Sequence, residues 1–215
     1  MLDLLLHRLQ SVPSIDEIVL ATTLEVQDDR LANWAESRSI SCFRGSTIDV
    51  MGRVIGAGTM VCADIIVEIT GDCPLIDPLI VELALATYMA NDVDYVSNSI
   101  VRSFPDGMDV QVFSRKILEE SYAMTSDPLD LEHVTRHIQR TPEKFSRINI
   151  IAPLDQRWPE LGLTLDERSD FDLISAIISS FPEDKLFGCS EILQLMRSDP
   201  RLHELNAHVQ RKGSD

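Results

Sequence analysis

The sequence predicts an α/β protein whose mixed, mainly parallel sheet is covered by helices. Two observations carry this reading. Apolar runs of about four to six residues alternate with helical patterns of roughly ten or more. The best-marked run, Asp64–Ile69, passes into Thr70-Gly71-Asp72 and then a helix signalled by Asp77-Pro78, Asp being a favoured N-cap and Pro a favoured first helical residue. At 215 residues, 44% of them hydrophobic, the chain is long enough for one sizeable core. A single domain over residues 1–215 is expected, with 189–212 as a C-terminal helical tail.

The elements follow in order. Leu4–Gln10 reads as an opening helix, and Glu17–Ala21 and Ile40–Phe43 as short strands on either side of helix Asp28–Glu36. Helix Ile48–Ala57 leads to strand Asp64–Ile69, and helix Asp77–Ala90 to strand Val93–Ser97. Pro105-Asp106-Gly107 is a turn signal, and Asp109–Phe113 alternates as a half-buried strand does. Helices Ser114–Ala123 and Leu131–Arg140, strands Arg147–Ile151 and Leu161–Leu165, and helix Ser169–Ser179 follow, before the tail helices Ser190–Arg197 and Pro200–Gln210.

Asp and Glu outnumber Lys and Arg by 35 to 19, a formal charge of −16. That balance repels phosphate backbones and argues against a nucleic-acid partner. The longest apolar stretches are too short to span a bilayer, and the acidic N-terminus is unlike a signal peptide. The four cysteines show neither a CxxC pair nor metal-ligand spacing. They read as reduced thiols of a cytoplasmic protein.

Asp72 falls at a strand's carboxyl end, where open α/β sheets place ligands. A hard carboxylate there suits Mg²⁺ shared with phosphate oxygens, although Asp is also a common turn residue. Asp166 ends Leu161–Leu165 in a similar way, so the two acids could converge on one metal ion. Asp170 and Asp172 read as first-turn acids favoured by the helix dipole. The loop holding Asp106 and Asp109 could close over a polyol or be a plain hairpin. His133 and His137, four apart on one expected helical face, read as structural or substrate-orienting and not as zinc ligands. Arg44, after a strand and beside Gly45, is placed to meet a base edge or phosphate, or to remain a solvated surface arginine.

Several segments, in this order, resemble the SpsF family within the acylneuraminate and deoxy-manno-octulosonate cytidylyltransferase group. They are Ile18–Thr23, Phe43-Arg-Gly-Ser46 with Asp49, Val50 and Arg53, Ile69–Asp77, Tyr95–Asn98, Pro105–Val110, Glu132–Thr135, Leu163–Asp166 and Asn206–Lys212. The resemblance implies a Rossmann-like nucleotide-diphospho-sugar transferase fold. It also implies transfer of CMP from CTP, with Mg²⁺, to a sugar, sialic-acid-like or otherwise acidic, for surface polysaccharide such as spore coat. Asp72 and Asp166 would be the catalytic, metal-binding acids. Thr22, Arg44 and Thr70 would lie near the nucleotide, and Asp106, Asp109 and His133 on the sugar side. The implied partners are CTP and the sugar, with no nucleic acid and no membrane, and a homodimer is compatible with it.

Family members begin with a strand and a basic loop of the type A-R-x-G-S-x-R-L-P-x-K, whereas this chain opens on a helix. The expectation is therefore of an N-terminally truncated domain with weakened triphosphate binding, and its alternative reading is a non-catalytic sugar- or nucleotide-binding module of the same fold.

Overall fold

The structure, a computed structural model, describes residues 1–183 and 186–209. The first half runs α1 (Leu2–Gln10), β1 (Val19–Thr23), α2 (Asp29–Ser37), β2 (Ser41–Gly45), α3 (Val50–Met60), β3 (Ile65–Glu68), α4 (Pro78–Ala90) and β4 (Tyr95–Ser97). The second runs β5 (Gln111–Ser114), α5 (Arg115–Met124), α6 (Pro128–Glu132), α7 (Arg136–Arg140), β6 (Arg147–Asn149), α8 (Arg168–Ser180), α9 (Cys189–Ser198) and α10 (Pro200–Glu204).

β1 and β2 form a parallel pair, and the other strands form one sheet in the order β3-β5-β4-β6. The larger sheet is mixed. β4 and β6 are parallel, while β5 runs antiparallel to both β3 and β4. β5 reverses because residues 98–110 join it to β4 without the crossover helix that usually links parallel strands. Among the described residues no ladder joins the two sheets. α3 links them instead, touching β1 and β2 as well as α5 and α6.

Period-two alternation assigns the strands' side chains to two core layers. Val96 and Val112 face a core shared with Leu5 of α1, Val81 and Leu85 of α4, Ile174 of α8 and Leu193 of α9. Their neighbours Tyr95 and Phe113 face the other core, with Met51 of α3, Leu118 of α5 and Ile138 of α7. Fully burying one such side chain contributes about 1.5–3 kcal/mol. Arg8 fastens α1 to the first core: its Nη1 donates to the carbonyls of Ile76 (3.2 Å) and Phe187 (2.9 Å). Asp77 caps α4 as expected, with Oδ1 accepting from the Leu79 amide at 2.8 Å, while its Oδ2 accepts from the Cys189 amide at the start of α9. α3 lies directly on β2, since a Cβ added at Gly56 would sit 2.2 Å from the Phe43 ring.

Three expectations are corrected. Leu161–Leu165 is not a strand; it makes one isolated parallel bridge, between Asp106 and Gly162. The helix over Leu131–Arg140 is broken into α6 and α7, because buried Val134 adopts a left-handed φ of 48°. His133 and His137 therefore share no continuous helical face. Asp170 is a first-turn acid as expected, and it is fully buried; its Oδ2 accepts from the Glu167 amide at 2.9 Å, so α8 begins at Arg168 and not at Ser169. In the tail, α10 ends at Glu204, and residues 210–212 lie outside the described residues.

Gly107 is the tightest point of the molecule's central crossing. It has a φ of 97°, and an added Cβ would stand 2.8 Å from the Leu163 carbonyl carbon. The three nearest atoms, of Leu163 and Thr164, are all backbone, which cannot swing aside. Gly107→Ala should therefore lower stability by ~2–3 kcal/mol or more, read as a reduced midpoint in urea at unchanged slope. A loss under about 0.5 kcal/mol would show that the crossing relaxes freely.

Candidate functional site

Three backbone segments meet at the crossing. The Leu163 amide donates to the Asp106 carbonyl (2.7 Å), the Asp106 amide to the Leu161 carbonyl (2.9 Å), and the Leu165 amide to the Asp72 carbonyl (2.8 Å). These bonds bring the turn after β3, the loop before β5 and the segment before α8 to one place. Between them is a cavity of about 230 Å³ lined by Thr70, Asp72, Asp106, Asp109 and Asp166. Glu68, Cys73, Gln111 and Thr164 complete its wall.

Each acid is held by its own local structure. Asp166 Oδ2 accepts from Thr164 Oγ1 (2.9 Å), and its amide donates to Asp170 Oδ2 (3.2 Å). Asp170 is in turn fixed by Asn206, whose Nδ2 also donates to the Gly162 carbonyl, so the tail braces the segment carrying Asp166. Arg102 at the rim pairs with Asp106 (3.2 Å) and with Asp109 (2.9 Å). Burial raises the Asp109 carboxyl to about 6, against the opposing charge of Arg102. Burial, with the charges of Asp72 and Asp109, raises Glu68 to about 7. Burial also pushes the Cys73 thiol well up, leaving it a protonated wall residue.

Glu68 belongs to a buried polar chain. Gln139 Nε2 donates to Tyr95 Oη (3.0 Å) and to Thr135 Oγ1 (3.1 Å). Both hydroxyls are thereby left to donate onward to Gln111 Oε1. The Gln111 amide nitrogen must then face Glu68, to whose Oε2 it donates at 2.5 Å. Burial lifts the Tyr95 phenol to about 12, which keeps it a donor.

Of the residues singled out from sequence, Thr70, Asp72, Asp106, Asp109 and Asp166 are gathered here. Thr22, Arg44 and His133 are not among the lining residues. Thr22 and Arg44 stand opposite each other in the β1–β2 pair. Arg44 spends its donors on the Asp29 carboxylate and on the carbonyls of Thr23 and Glu25, and Thr22 donates to Asp28, so both brace the turn into α2. His133 is exposed at the end of α6. Sequence reasoning missed Glu68 and Gln111. Their signal was present: each is a polar residue at the end of a short strand with an apolar middle, and they are partners in the β3–β5 register.

Among the described residues no cluster of three or more His, Cys, Asp or Glu side chains forms a ready-made metal cage. The donor set nevertheless suits Mg²⁺, which keeps several waters and takes one or two carboxylates together with substrate phosphates.

Known proteins share this chain's sequence and fold to different degrees. The chain is 26% identical over 205 residues to the spore coat polysaccharide biosynthesis protein SpsF of Bacillus subtilis, covering 93% of this chain and 84% of that protein. Its fold superposes on a cytidylyltransferase from Leptospira borgpetersenii with a TM-score of 0.88 at 29% identity, over 94% of this chain and 84% of that one. It also matches the fold of a CMP:2-keto-3-deoxy-manno-octonic acid synthetase solved with CTP, at a TM-score of 0.57 and 13% identity, over 83% and 87% of the two chains. The fold is thus the nucleotide-diphospho-sugar transferase α/β fold expected from sequence. Residues 1–176 match the cytidylyltransferase family, and the chain belongs to that family.

Proposed function

We propose that this protein transfers CMP from CTP to a sugar and that the acidic pocket is where transfer takes place. The observation that carries the proposal is the convergence of Asp72 and Asp166, from separate segments, on one cavity in a chain of this family. A sugar hydroxyl oxygen forms a bond to the α-phosphorus of CTP, the bond to the β-phosphate oxygen breaks, and pyrophosphate leaves. Asp72 and Asp166 would hold Mg²⁺, which supplies charge neutralisation to the phosphates when bound. Thr70 lies on the nucleotide side. Asp106 and Asp109, fixed by Arg102, orient the sugar, and a carboxylate oxygen of Asp109 takes the attacking hydroxyl's proton. The family resemblance alone favours a sialic-acid-like or other acidic acceptor; the pocket's own charge does not. A homodimer, a cytoplasmic location and a role in surface polysaccharide complete the reading.

One observation favours a second reading, a non-catalytic sugar- or nucleotide-binding module. Among the described residues that line the pocket none is Lys or Arg, so a triphosphate meets no fixed cation from them. Pyrophosphate release with CTP, Mg²⁺ and a sugar panel separates the two.

Asp72→Asn and Asp166→Asn should each weaken Mg²⁺-dependent CTP binding at least about tenfold while shifting stability little, because both charges line a cavity and not the apolar core. Calorimetric titration with Mg²⁺–CTP is the measurement. Unchanged binding in either variant removes that residue from the metal site.

The raised carboxyls also set the pH dependence of stability. Glu68 and Asp109 rise from 4.5 and 3.8 to about 7 and about 6 on folding, so the folded chain holds protons that the unfolded chain has released. Their contribution is fully present below the unfolded values and is lost as pH rises through the folded ones. Stability should fall by an amount on the order of 2 kcal/mol between about pH 5 and about pH 8, read as a falling melting temperature, and fall less in Glu68→Gln. A wild-type melting temperature that rises over this range would contradict the assignment.

A further inference from the structure

One side-chain amide closes the loop that carries Asp166. Asn206 lies in the turn after α10 and is only 3% exposed. Its Nδ2 donates to the Gly162 carbonyl and to Asp170 Oδ1, each at 2.9 Å. The orientation of the amide follows from these partners. A backbone carbonyl can only accept, so the NH₂ group must face Gly162, and its second hydrogen falls to Asp170. The two ends of segment 162–170 are thereby tied through a single nitrogen.

Both ends bear on the pocket. At the first, the bridge between Asp106 and Gly162 and the bond from the Leu163 amide to the Asp106 carbonyl set the segment against the Gly107 turn. At the second, fully buried Asp170 accepts through Oδ2 from the amides of Asp166 (3.2 Å) and Glu167 (2.9 Å). Between them stand Thr164 and Asp166, bonded to each other and lining the cavity. Among the described residues no ladder includes this segment, so its curvature is set by these few bonds. Asn206 is not among the residues that line the cavity, yet it reaches Asp166 through Asp170 alone.

We propose that Asn206 is a positioning residue for metal binding at Asp166: its NH₂ group fixes the curvature of segment 162–170 and so the orientation in which the Asp166 carboxylate is presented beside Asp72. The proposal rests on the reading of Asp72 and Asp166 as the metal-holding pair. It makes the tail, which lies beyond the residues 1–176 that match the family, part of the site's machinery. The side-chain type is specified by its two donors. Aspartate has the same outline but would set a second carboxylate against Asp170, and serine could serve only one of the two acceptors.

Binding of Mn²⁺, standing in for Mg²⁺, to the full chain is measured by electron paramagnetic resonance below the melting transition of every variant. Asn206→Ala and Asn206→Asp should each weaken it about 10- to 100-fold, the usual cost of losing a group that orients a metal ligand. Hydrogen exchange at the Leu163 and Leu165 amides should accelerate in both. Asn206→Ser, which keeps one donor, should fold even if the other two do not, and should lose less. His208→Ala removes an exposed contact of the same tail with Ser169 and should bind as the wild type does. Because Asn206 acts through Asp166, Asn206→Ala should add less than about twofold to the loss caused by Asp166→Asn. Wild-type affinity in the Asn206 variants, an equal loss in His208→Ala, or full additivity with Asp166→Asn overturns the proposal. Pyrophosphate release with CTP and Mg²⁺ keeps the two readings apart. No release from a wild-type chain whose Mn²⁺ binding follows this pattern sinks the CMP-transfer reading alone, and release with unchanged Mn²⁺ affinity in the Asn206 variants sinks this proposal alone. A wild-type chain that binds no Mn²⁺ overturns both.

Discussion

The close approach of two backbones at Gly107 is the constraint on which the pocket depends. The turn at residues 105–108 can lie against Leu163 and Thr164 only because no side chain stands between them. That contact lets the Asp106 carbonyl accept from the Leu163 amide and the Asp106 amide donate to the Leu161 carbonyl, and the same segment then reaches Asp72 through the Leu165 amide. Acids that are far apart in sequence are thus positioned by main-chain geometry, which is stiffer than any side-chain packing. The segment needs a brace from behind, because it belongs to no sheet. Asp170 and Asn206 supply it.

The pocket concentrates like charge inside a protein that is already strongly acidic, at −16. Such a cluster opposes folding unless each carboxylate is given donors or a proton. The structure uses both routes. Thr164 and Arg102 donate to Asp166, Asp106 and Asp109, while Glu68 and Asp109 titrate near neutrality. Stability is given up locally to keep a charged cavity, a common trade at sites that bind ligands.

Sequence patterns located most of the elements, since burial imposes a period on helices and strands that can be read directly. They also pointed to Asp72 and Asp166, because each closes an apolar run, although only the run before Asp72 is a strand. Three features escaped for physical reasons. Nothing in Gln111–Ser114 reports strand direction, so the antiparallel course of β5 was hidden. Leu161–Leu165 is apolar and strand-like, but its backbone is engaged by loops and not by a ladder. The break at Val134 sets a β-branched residue in a left-handed conformation, which propensity alone argues against. Glu68 and Gln111 became significant only through the register that pairs them. Position along the chain did not reveal either that Arg44, in β2, spends its donors on the turn between β1 and α2.

The direct seating of α3 on β2 has an evolutionary consequence. Phe43 occupies the space that a side chain at position 56 would need, so the two positions share one volume, and it holds a ring or a methyl group but not both. Either residue can drift only if the other changes with it. Among relatives, 43 and 56 should therefore vary as a pair, large with small. A lineage that enlarged position 56 first would have to slide the helix outward, drawing the smaller sheet away from the rest of the molecule.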